Sequence, residues 1–549
     1  MLLLNTLRAS AELGRLERRL PEPAEKRPHM TMRRCCCGPA GVRDHRRRAG
    51  SSCAPACTAA KALHHPRTSK AAGHGFARGK WQEYRTAYDW TEGGAHERLI
   101  GGYTAPYPLR TVGSGSARWC IAARGLEKLE GEAVKEVGTL ADLKAKYPDA
   151  QFVDAKGGVI MPGLINAHTH IYSGLARGLA IEGNNPTNFL EVLEGTWWNI
   201  DRHLTLDGTR ASAYATVLDC IRDGVTTIFD HHASFCEIPG SLFAIKDVCQ
   251  ELGMRSCLCY EVSERDGAEK TEQAIRENAD FAKWCKETDD DMIRAMFGGH
   301  ALFTISDKTF EKMVEANDGM TGFHIHVAEG MNDVYDSLRN YGCRPVNRLL
   351  YNGILGDKTL LGHCIHVSPA ELDIIKETGT MVVNNPESNM GNAVGCSPVL
   401  QMFRKGITVG MGTDAYTHDM LESLKVFLII QRHNAAMPNV GWVEAMTMLF
   451  QNNPAMASAY FGRKIGVLAP GAAADVIVMD YPVFTPFSDE NIDGHMLFGM
   501  MGKNCRTTIV NGKVLYRDRE FVAFDEERIN AWTLEQSKKL WGTLNERTY

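Results

Sequence analysis

The chain has little of two features that would decide its function at once: long apolar runs and positive charge on its main body. No uninterrupted apolar run reaches the roughly 18 residues of a transmembrane helix, so we expect no membrane-spanning segment. Residues 1–80 carry 17 Lys and Arg against 5 Asp and Glu, whereas the whole chain has a net charge of −5. The remainder therefore carries −17, and such an acidic body argues against nucleic acid as a partner, because phosphates bind basic surfaces.

The 16 cysteines lack the spacing of a standard pair of Cys-x-x-Cys zinc clips. Five lie in the first 57 residues, and the others are scattered, several in apolar runs such as MRSCLCYEV. Scattered cysteines in apolar runs are typical of reduced core residues, so we predict a cytoplasmic protein. Residues 1–90 are rich in Arg, Ala, Gly, Pro and Ser and lack sustained hydrophobic periodicity, which predicts a disordered basic extension.

From about residue 155, short apolar runs alternate with longer amphipathic segments in eight β-then-α units. This α/β pattern predicts a (β/α)8 TIM-like barrel, which we place at residues 158–465. The flanking segments, residues 98–157 and 466–549, contain further strand-like runs. We expect them to form a small β-sandwich domain from both ends of the chain, with a terminal helix. The Asn511–Gly512 step in the second segment is a strong hairpin signal.

Polar side chains stand at the carboxyl ends of the predicted barrel strands, where a barrel of this kind builds its active site. His168 and His170 in GLINAHTHIY lie two residues apart and therefore share one face of a strand. As cations they would repel each other, but as neutral imidazoles they can bind one metal ion. A purely structural pair becomes a weaker explanation because further candidates follow at later strand ends: Asp230, His324, His326, Glu329, His363, His366 and Asp414.

Three imidazoles and one carboxylate suit zinc or ferrous iron. A catalytic site of this type keeps one position open for water, whose pKa the metal lowers to about 7. We interpret His324 and His366 as packing or supporting groups rather than ligands.

These motifs resemble the amidohydrolase superfamily over about residues 98–540. The His-x-His pair, HVAE, GHC and GTD occur in the superfamily's order, and GVLAPGAAADVIVMD is similar to its return to the small domain. Other runs are similar to the selenium-metabolism-associated aminohydrolases (SsnA-type): HTHIYSGLARG, WWNIDRHL, FDHHASF, GGHALFT and DENIDGHMLFGM. Nothing in the sequence looks like a selenium site, so any link to selenium would be contextual.

The resemblance implies one divalent metal ion, zinc or iron, with four ligands: His168, His170, His326 and Asp414. It also implies that Asp414 accepts the proton of the attacking water. Glu329 would carry a proton to a ring nitrogen and then to the leaving ammonia, a general acid–base role. A solvated loop carboxylate is the alternative for Glu329. His363 resembles the histidine that steadies the attacking hydroxide or the tetrahedral intermediate.

Three residues are predicted to bind substrate: His300, Trp197 and Asn389. His300 resembles a substrate-side histidine of the fourth strand, and a structural histidine is the alternative. Trp197 and Trp198 could stack on a planar heterocycle, but adjacent helical residues do not share a face, so we expect at least one in the core. Asn389, in NNPESNMG together with Asn385 and Ser388, holds substrate or serves the turn.

The predicted fourth strand, IRAMFGGHA, contains no lysine. Binuclear relatives bridge two metals with a carboxylated lysine on this strand, so its absence favours one metal and deamination over the opening of cyclic amides. We predict a metal-dependent aminohydrolase acting on a small molecule, an amino-substituted N-heterocycle such as a purine, pterin or triazine. The alternatives are a chlorohydrolase or other C–N hydrolase with the same site, and an inactive scaffold. The resemblance also implies a homo-oligomer.

Overall fold

The computed structural model describes residues 98–103, 126–130 and 132–545. The predicted basic extension over residues 1–90 and the strand-like run RWCIAARG lie outside these residues. Within the described ranges, no helix is long and apolar enough to cross a membrane.

The strands of the described residues follow the predicted runs closely. Every one of the eight predicted barrel runs contains a strand, and the fourth run is divided at Met296. In chain order the strands are β1 (Arg98–Tyr103), β2 (Leu126–Glu130), β3 (Ala133–Gly138), β4 (Gln151–Pro162), β5 (Leu164–Thr169), β6 (Val225–His232), β7 (Arg255–Tyr260), β8 (Ile293–Ala295), β9 (Phe297–Ala301), β10 (Phe323–Val327), β11 (Leu360–His363), β12 (Met381–Asn384), β13 (Val409–Met411), β14 (Val476–Met479), β15 (Cys505–Val510), β16 (Lys513–Arg517) and β17 (Glu520–Phe521).

Two parallel sheets form the centre of the molecule, in the orders β5-β6-β7-β8 and β9-β10-β11-β12-β13. Isolated parallel bridges pair Thr169 with Asp414 and Val262 with Gly299. The first bridge links the end of β5 to Asp414, which follows β13. The second links Val262, which follows β7, to β9. The two sheets are therefore connected on both sides, and the carboxyl ends of their strands lie along one rim.

Helices connect most of the successive parallel strands and cover their apolar faces. The helix Pro369–Glu377 illustrates why they form where they do: Ser368 and Glu371 make a reciprocal capping box at its start, and Gly379 adopts φ 69° just beyond its end. The α-helices are Leu140–Lys146, Phe189–Val192, Trp198–Asp201, Leu206–Arg222, Ser241–Leu252, Ala268–Thr288, Asp307–Asn317, Met331–Tyr341, Pro345–Tyr351, Pro369–Glu377, Pro386–Gly391, Val399–Lys405, Met420–Ala435, Trp442–Thr447, Asn453–Phe461, Ile492–Phe498 and Glu526–Leu544.

Strands from both ends of the described chain join in a third sheet, in the order β17-β16-β15-β14-β4-β1-β2-β3. β15 and β16 are antiparallel and joined by Asn511 and Gly512, with φ of 48° and 77°. Positive φ at both residues is the requirement of a type I′ turn, so the hairpin prediction is confirmed. These strands form one eight-stranded sheet, and their arrangement as a sandwich stays a prediction.

A buried ion pair ties the parallel strands to the third sheet. Arg255, at the start of β7, pairs with Asp475, just before β14, and both side chains are fully buried. The other carboxylate oxygen of Asp475 accepts a hydrogen bond from the backbone N–H of Asn511 at 2.8 Å. Because loss of one partner would leave an uncompensated buried charge, this contact fixes how the two parts pack.

Candidate metal centre and active site

The strand ends bring the four predicted metal ligands together. One ligand atom each from His168, His170, His326 and Asp414 lies within 4.8 Å of the other three, and all four residues are buried. Nε2 of His170 lies 3.2 Å from Nε2 of His326 and 2.9 Å from Oδ1 of Asp414. Residues that lie far apart along the chain, on β5, β10 and after β13, thus form one compact group, which we call the ligand group.

Each imidazole has two ring nitrogens, and in two of these residues a hydrogen bond from the nitrogen outside the group fixes the orientation of the ring. Nδ1 of His170 donates to the backbone carbonyl of His231 at 2.6 Å, and Nδ1 of His326 donates to the carbonyl of His300 at 2.7 Å. A carbonyl oxygen can only accept, so each Nδ1 carries a proton and each Nε2 faces the group. Anchoring of this kind is typical of histidines that bind a metal.

The third imidazole, His168, is the sharpest test of whether a cation fits. Its Nδ1 lies 2.9 Å from Nε2 of His324, whereas its own Nε2 is buried without a hydrogen-bond partner, 3.8 Å from Oδ1 of Asp414. Buried polar atoms without partners are rare. A divalent cation within the ligand group would satisfy this nitrogen, and the donor set of three imidazoles and one carboxylate fits such a cation.

The charges within the group also favour a cation. Burial and the neighbouring imidazoles hold the pKa of His168 and of His326 well below the usual range, so both stay neutral. Burial would lower the pKa of His170 as well, but Asp414 and Glu261 raise it to about 9, so a metal ion bound at its Nε2 takes the place of a proton. Burial raises the pKa of Asp414, yet His170 outweighs it and holds that pKa well below its usual range. Asp414 is therefore an ionised carboxylate beside three imidazoles.

Two predicted catalytic residues at the carboxyl ends of strands have backbone φ angles in the left-handed region. His363 has φ 66° and Asp414 has φ 58°, a region that side-chain-bearing residues rarely adopt. A Cβ on Gly412 would lie 2.7 Å from the carbonyl oxygen of His168, so only glycine allows β13 to approach β5 this closely. Such backbone positions persist where the surrounding structure enforces them, and they aim Asp414 at the ligand group.

A second group shares Asp414 and adds two predicted catalytic residues. Nε2 of His363 lies 3.6 Å from Oε2 of Glu329 and 3.5 Å from Oδ2 of Asp414, while its Nδ1 donates to Oδ1 of Asn389 at 2.7 Å. The hydroxyl of Ser388 donates to Oδ2 of Asp414 at 2.5 Å. Burial, countered in part by His363, raises the pKa of Glu329 to about 7. This carboxyl can thus exchange a proton near neutral pH.

A third buried group lies against the first and was not predicted. Nδ1 of His231 lies 2.9 Å from Oε1 of Glu261, and its Nε2 lies 3.0 Å from the carbonyl oxygen of His324. Both nitrogens of His231 therefore face oxygens that accept hydrogen bonds, which leaves no lone pair for a metal when Glu261 is ionised. His231 supports the ligand group rather than extending it.

A cavity opens beside the ligand group. Aromatic side chains form part of its wall: Tyr172, Phe189, Trp197, Phe303 and Tyr416. Polar side chains from several strand ends form the rest: His170, Glu261, His300, His326, Glu329, Asp333, Ser388, Asn392 and Asp414.

The predicted substrate residues fall in two places. Trp197 and His300 line the cavity. Trp198 is buried beside them and its indole N–H donates to Nε2 of His300 at 3.4 Å, as expected for one tryptophan of the pair. Asn389 is not among the described residues that line the cavity; it lies behind His363 and accepts that ring's Nδ1 proton.

Other histidines and amides of the sequence motifs take supporting positions. His366 is half-buried, lies outside the cavity and contacts the carbonyl oxygen of Val394 through Nε2 at 2.9 Å. Asn385 lies with its amide nitrogen 3.5 Å from Nε2 of His363. Asp230 accepts a hydrogen bond from the backbone N–H of Ile171 at 2.6 Å and so braces the chain just after His170.

Several cavity residues escaped the sequence analysis, Glu261 above all. It follows the apolar strand β7 directly, so a carboxylate ending an apolar run was the signal that could have found it. Asn392 lies just after the short helix Pro386–Gly391, where nothing in the spacing separates cavity residues from turn residues.

Comparisons with known proteins agree with this geometry. Residues 159–515 match the profile of the amidohydrolase family. A 5′-deoxyadenosine deaminase of Methanosarcina mazei is 30% identical over 430 residues, which cover 77% of this chain and 95% of that protein. A 5-methylthioadenosine/S-adenosylhomocysteine deaminase of Thermococcus onnurineus is 31% identical over 411 residues, 73% of this chain and 93% of that protein.

Solved structures agree on the fold. An adenosine deaminase from Xanthomonas campestris with bound zinc superimposes with a TM-score of 0.70 at 21% identity, covering 81% of this chain and 98% of that one. With the family profile spanning well over half of its length, this chain belongs to the amidohydrolase family.

Proposed function

We propose that the protein is a metal-dependent hydrolytic deaminase of an amino-substituted purine or a similar N-heterocycle. The observation that carries the proposal is the meeting of the ligand group with Glu329 at the wall of one cavity, with the ring of His363 against both Glu329 and Asp414. The relatives named as deaminases of adenosine-type compounds support this ring class. As an amidohydrolase with such relatives, the chain is a hydrolase of carbon–nitrogen bonds other than peptide bonds.

The proposed cofactor is one zinc ion held by His168, His170, His326 and Asp414, with iron as the alternative. When bound, such an ion lowers the pKa of water towards about 7 and so supplies hydroxide at neutral pH. The donor set fits, because Nε2 of His168 has no other partner and the second nitrogens of His170 and His326 are anchored.

The chain's own residues then divide the proton transfers. Asp414, ionised and oriented by the hydroxyl of Ser388, accepts the proton of the attacking water. Glu329, with a pKa of about 7, delivers a proton to the ring nitrogen, then takes up the second proton of the attacking water and passes it to the leaving amine. His363, oriented by Asn389, faces both carboxyls and steadies the oxygen that attacks. The aromatic side chains of the cavity wall would bind the flat ring by stacking.

Finer structural predictions belong to the same proposal. The bridges on both sides of the two parallel sheets support their closure into one barrel at residues 158–465, with a small domain from residues 98–157 and 466–549. The cysteines of the described residues are all free, which supports a reducing compartment such as the cytoplasm. The homo-oligomer and the resemblance to SsnA-type proteins remain predictions.

Elemental analysis of the purified protein, paired with an assay for ammonia release from aminopurines, pterins and aminotriazines, tests the proposal. We expect about one zinc or iron per chain and release of ammonia from at least one ring. One metal without ammonia would redirect the search to chloride or amide leaving groups. A folded protein without metal would overturn the proposal and favour the inactive scaffold.

A further inference from the structure

Glu261 has one carboxylate oxygen left without a donor at the wall of the cavity. The residue is 1% exposed and follows β7 directly. Its Oε1 is hydrogen-bonded to Nδ1 of His231 at 2.9 Å. No described residue donates to its Oε2, and the neighbouring ring nitrogen, Nε2 of His300, lies 3.9 Å away.

His300 cannot serve this oxygen as a donor. The hydroxyl of Thr304 donates to the carbonyl of Ala301 at 2.8 Å, so it accepts the proton of Nδ1 of His300 at 2.9 Å. Nε2 of His300 is then a lone pair, and it accepts the indole N–H of Trp198 at 3.4 Å. The lone pair of Nε2 is therefore taken by Trp198, and this nitrogen, 3.9 Å from Oε2 of Glu261, has no proton to donate to it.

A buried carboxyl oxygen without a partner at this position needs a donor from outside the protein. Buried polar oxygens are stable only when hydrogen bonds compensate them. Since Glu261 lines the cavity, the molecule that fills the cavity is positioned to supply that bond.

The rest of the cavity carries the same sign of charge. Glu329, Asp333 and Asp414 line it together with Glu261, and among the described residues no Lys or Arg does. A hydrogen-bond donor brought among these carboxyl groups finds acceptors there, whereas no Lys or Arg of the described lining residues could pair with an anionic group. The wall therefore suits an uncharged ring that offers hydrogen-bond donors.

We propose that Glu261 is a specificity-determining residue whose free oxygen accepts a hydrogen bond from an amino group on the reacting ring, a group additional to the amine that leaves. This inference rests on the proposed deaminase function. The donor must belong to the ring rather than to a distant substituent, because one oxygen of Glu261 lies within 4.8 Å of ligand atoms of His170 and His326 and the free oxygen belongs to the same carboxyl group. A ring that reacts beside these histidines has its own edge within reach of Glu261.

The test compares 2,6-diaminopurine with adenine, two rings that differ by one amino group. For the metal-loaded full chain we expect at least tenfold higher kcat/KM and at least tenfold tighter binding by calorimetry for 2,6-diaminopurine. Glu261→Gln should abolish this preference with unchanged metal content, because an amide that accepts from His231 turns its NH₂ group towards the cavity. Glu277→Gln is the matched control, since Glu277 is also a buried carboxylate but binds the backbone N–H groups of Gly240 and Leu242 outside the cavity.

The outcomes separate this inference from the proposed function. Equal treatment of the two rings by the wild type, or an equal loss on both in Glu261→Gln, overturns the role of Glu261 and leaves deamination standing. Loss of metal in Glu261→Gln also overturns it. If no ring of any class releases ammonia, the proposed function fails. The role of Glu261 is then judged by calorimetry alone, and it is overturned if 2,6-diaminopurine binds no more tightly than adenine or does not bind. Should Glu261→Gln fail to fold, Glu261→Asp, which keeps the charge but withdraws the oxygen, takes its place.

Discussion

Two groups of histidines pack against each other at the carboxyl ends of the parallel strands and differ in how their ring nitrogens are used. In the ligand group, each imidazole has one nitrogen engaged and presents the other to a common point. In the supporting group, His231 and His324, the nitrogens are directed at oxygens, at Cys259 or at His168. The rings are close neighbours, with centroids 4.6 Å apart for His231 and His326 and 4.9 Å for His168 and His324.

A histidine is therefore not a metal ligand merely because it lies at the end of a strand. His324 and His326 lie two residues apart on β10, so strand alternation puts them on the same face. What separates them is the number of ring nitrogens that have another partner. His326 uses one nitrogen on the carbonyl of His300 and directs the other into the ligand group, whereas the two nitrogens of His324 face His168 and Cys259.

Loss of a ligand should have the largest effect. We expect His326→Ala to retain almost no metal, because three remaining donors hold the ion poorly, and to lose activity by roughly 10⁴-fold or more. Elemental analysis and the ammonia assay measure both. His366→Ala is the control, because His366 lies outside the cavity and makes a single side-chain hydrogen bond. Equal metal in His326→Ala and wild type would contradict the ligand assignment.

Removal of the proton carrier should leave the metal in place. Glu329→Gln keeps the shape of the side chain but cannot exchange a proton, so kcat should fall by about 10²–10⁴-fold with metal content unchanged. Unchanged turnover on a confirmed substrate would show that Glu329 carries no proton.

The same variant makes a prediction for stability. Because burial raises the pKa of Glu329 to about 7, above its ordinary value near 4.5, the folded state binds more protons than the unfolded chain between these pH values. Wild-type stability should therefore decline as pH rises through this window, and Glu329→Gln should not share that decline. In metal-free protein we expect the Tm of the variant to gain on that of the wild type between pH 5 and about pH 8. Parallel Tm profiles would count against a raised pKa.

Much of the fold and of the ligand group could be predicted from local signals. Apolar runs with polar ends marked every parallel strand, and the turn chemistry of Asn511–Gly512 marked the hairpin. The predictions of the strands and of the hairpin succeed because hydrophobic alternation and turn requirements act between near neighbours in sequence.

Contacts between distant strands could not be predicted in the same way. Glu261 and His231 look like any polar residues at the ends of apolar runs, and only the pairing of β6 with β7 brings them together. Asn389 belongs to a motif that suggests contact with substrate, yet the packing of the helix Pro386–Gly391 turns it towards His363. Such roles depend on tertiary placement, which spacing alone does not determine.

A supporting histidine should matter less than a ligand. His324→Phe keeps a ring of similar size but removes the nitrogen that pairs with Nδ1 of His168, so we expect metal affinity to fall by about 10–100-fold. Competition with a chelator measures the change, and His366→Phe is the matched control. A complete loss of metal would place His324 with the ligands, and no change would show that the orientation of His168 does not depend on it.

The smallest effect should come from Asn389, two contacts away from the ligand group. Its Oδ1 orients His363 and does not line the cavity, so Asn389→Ala should lower kcat by roughly tenfold while KM stays within about twofold. Asn389→Asp, which keeps an oxygen for Nδ1 of His363, should restore part of kcat. Steady-state kinetics on a confirmed substrate separates the two roles that the motif allows: a higher KM with unchanged kcat would mean that Asn389 binds the ring itself.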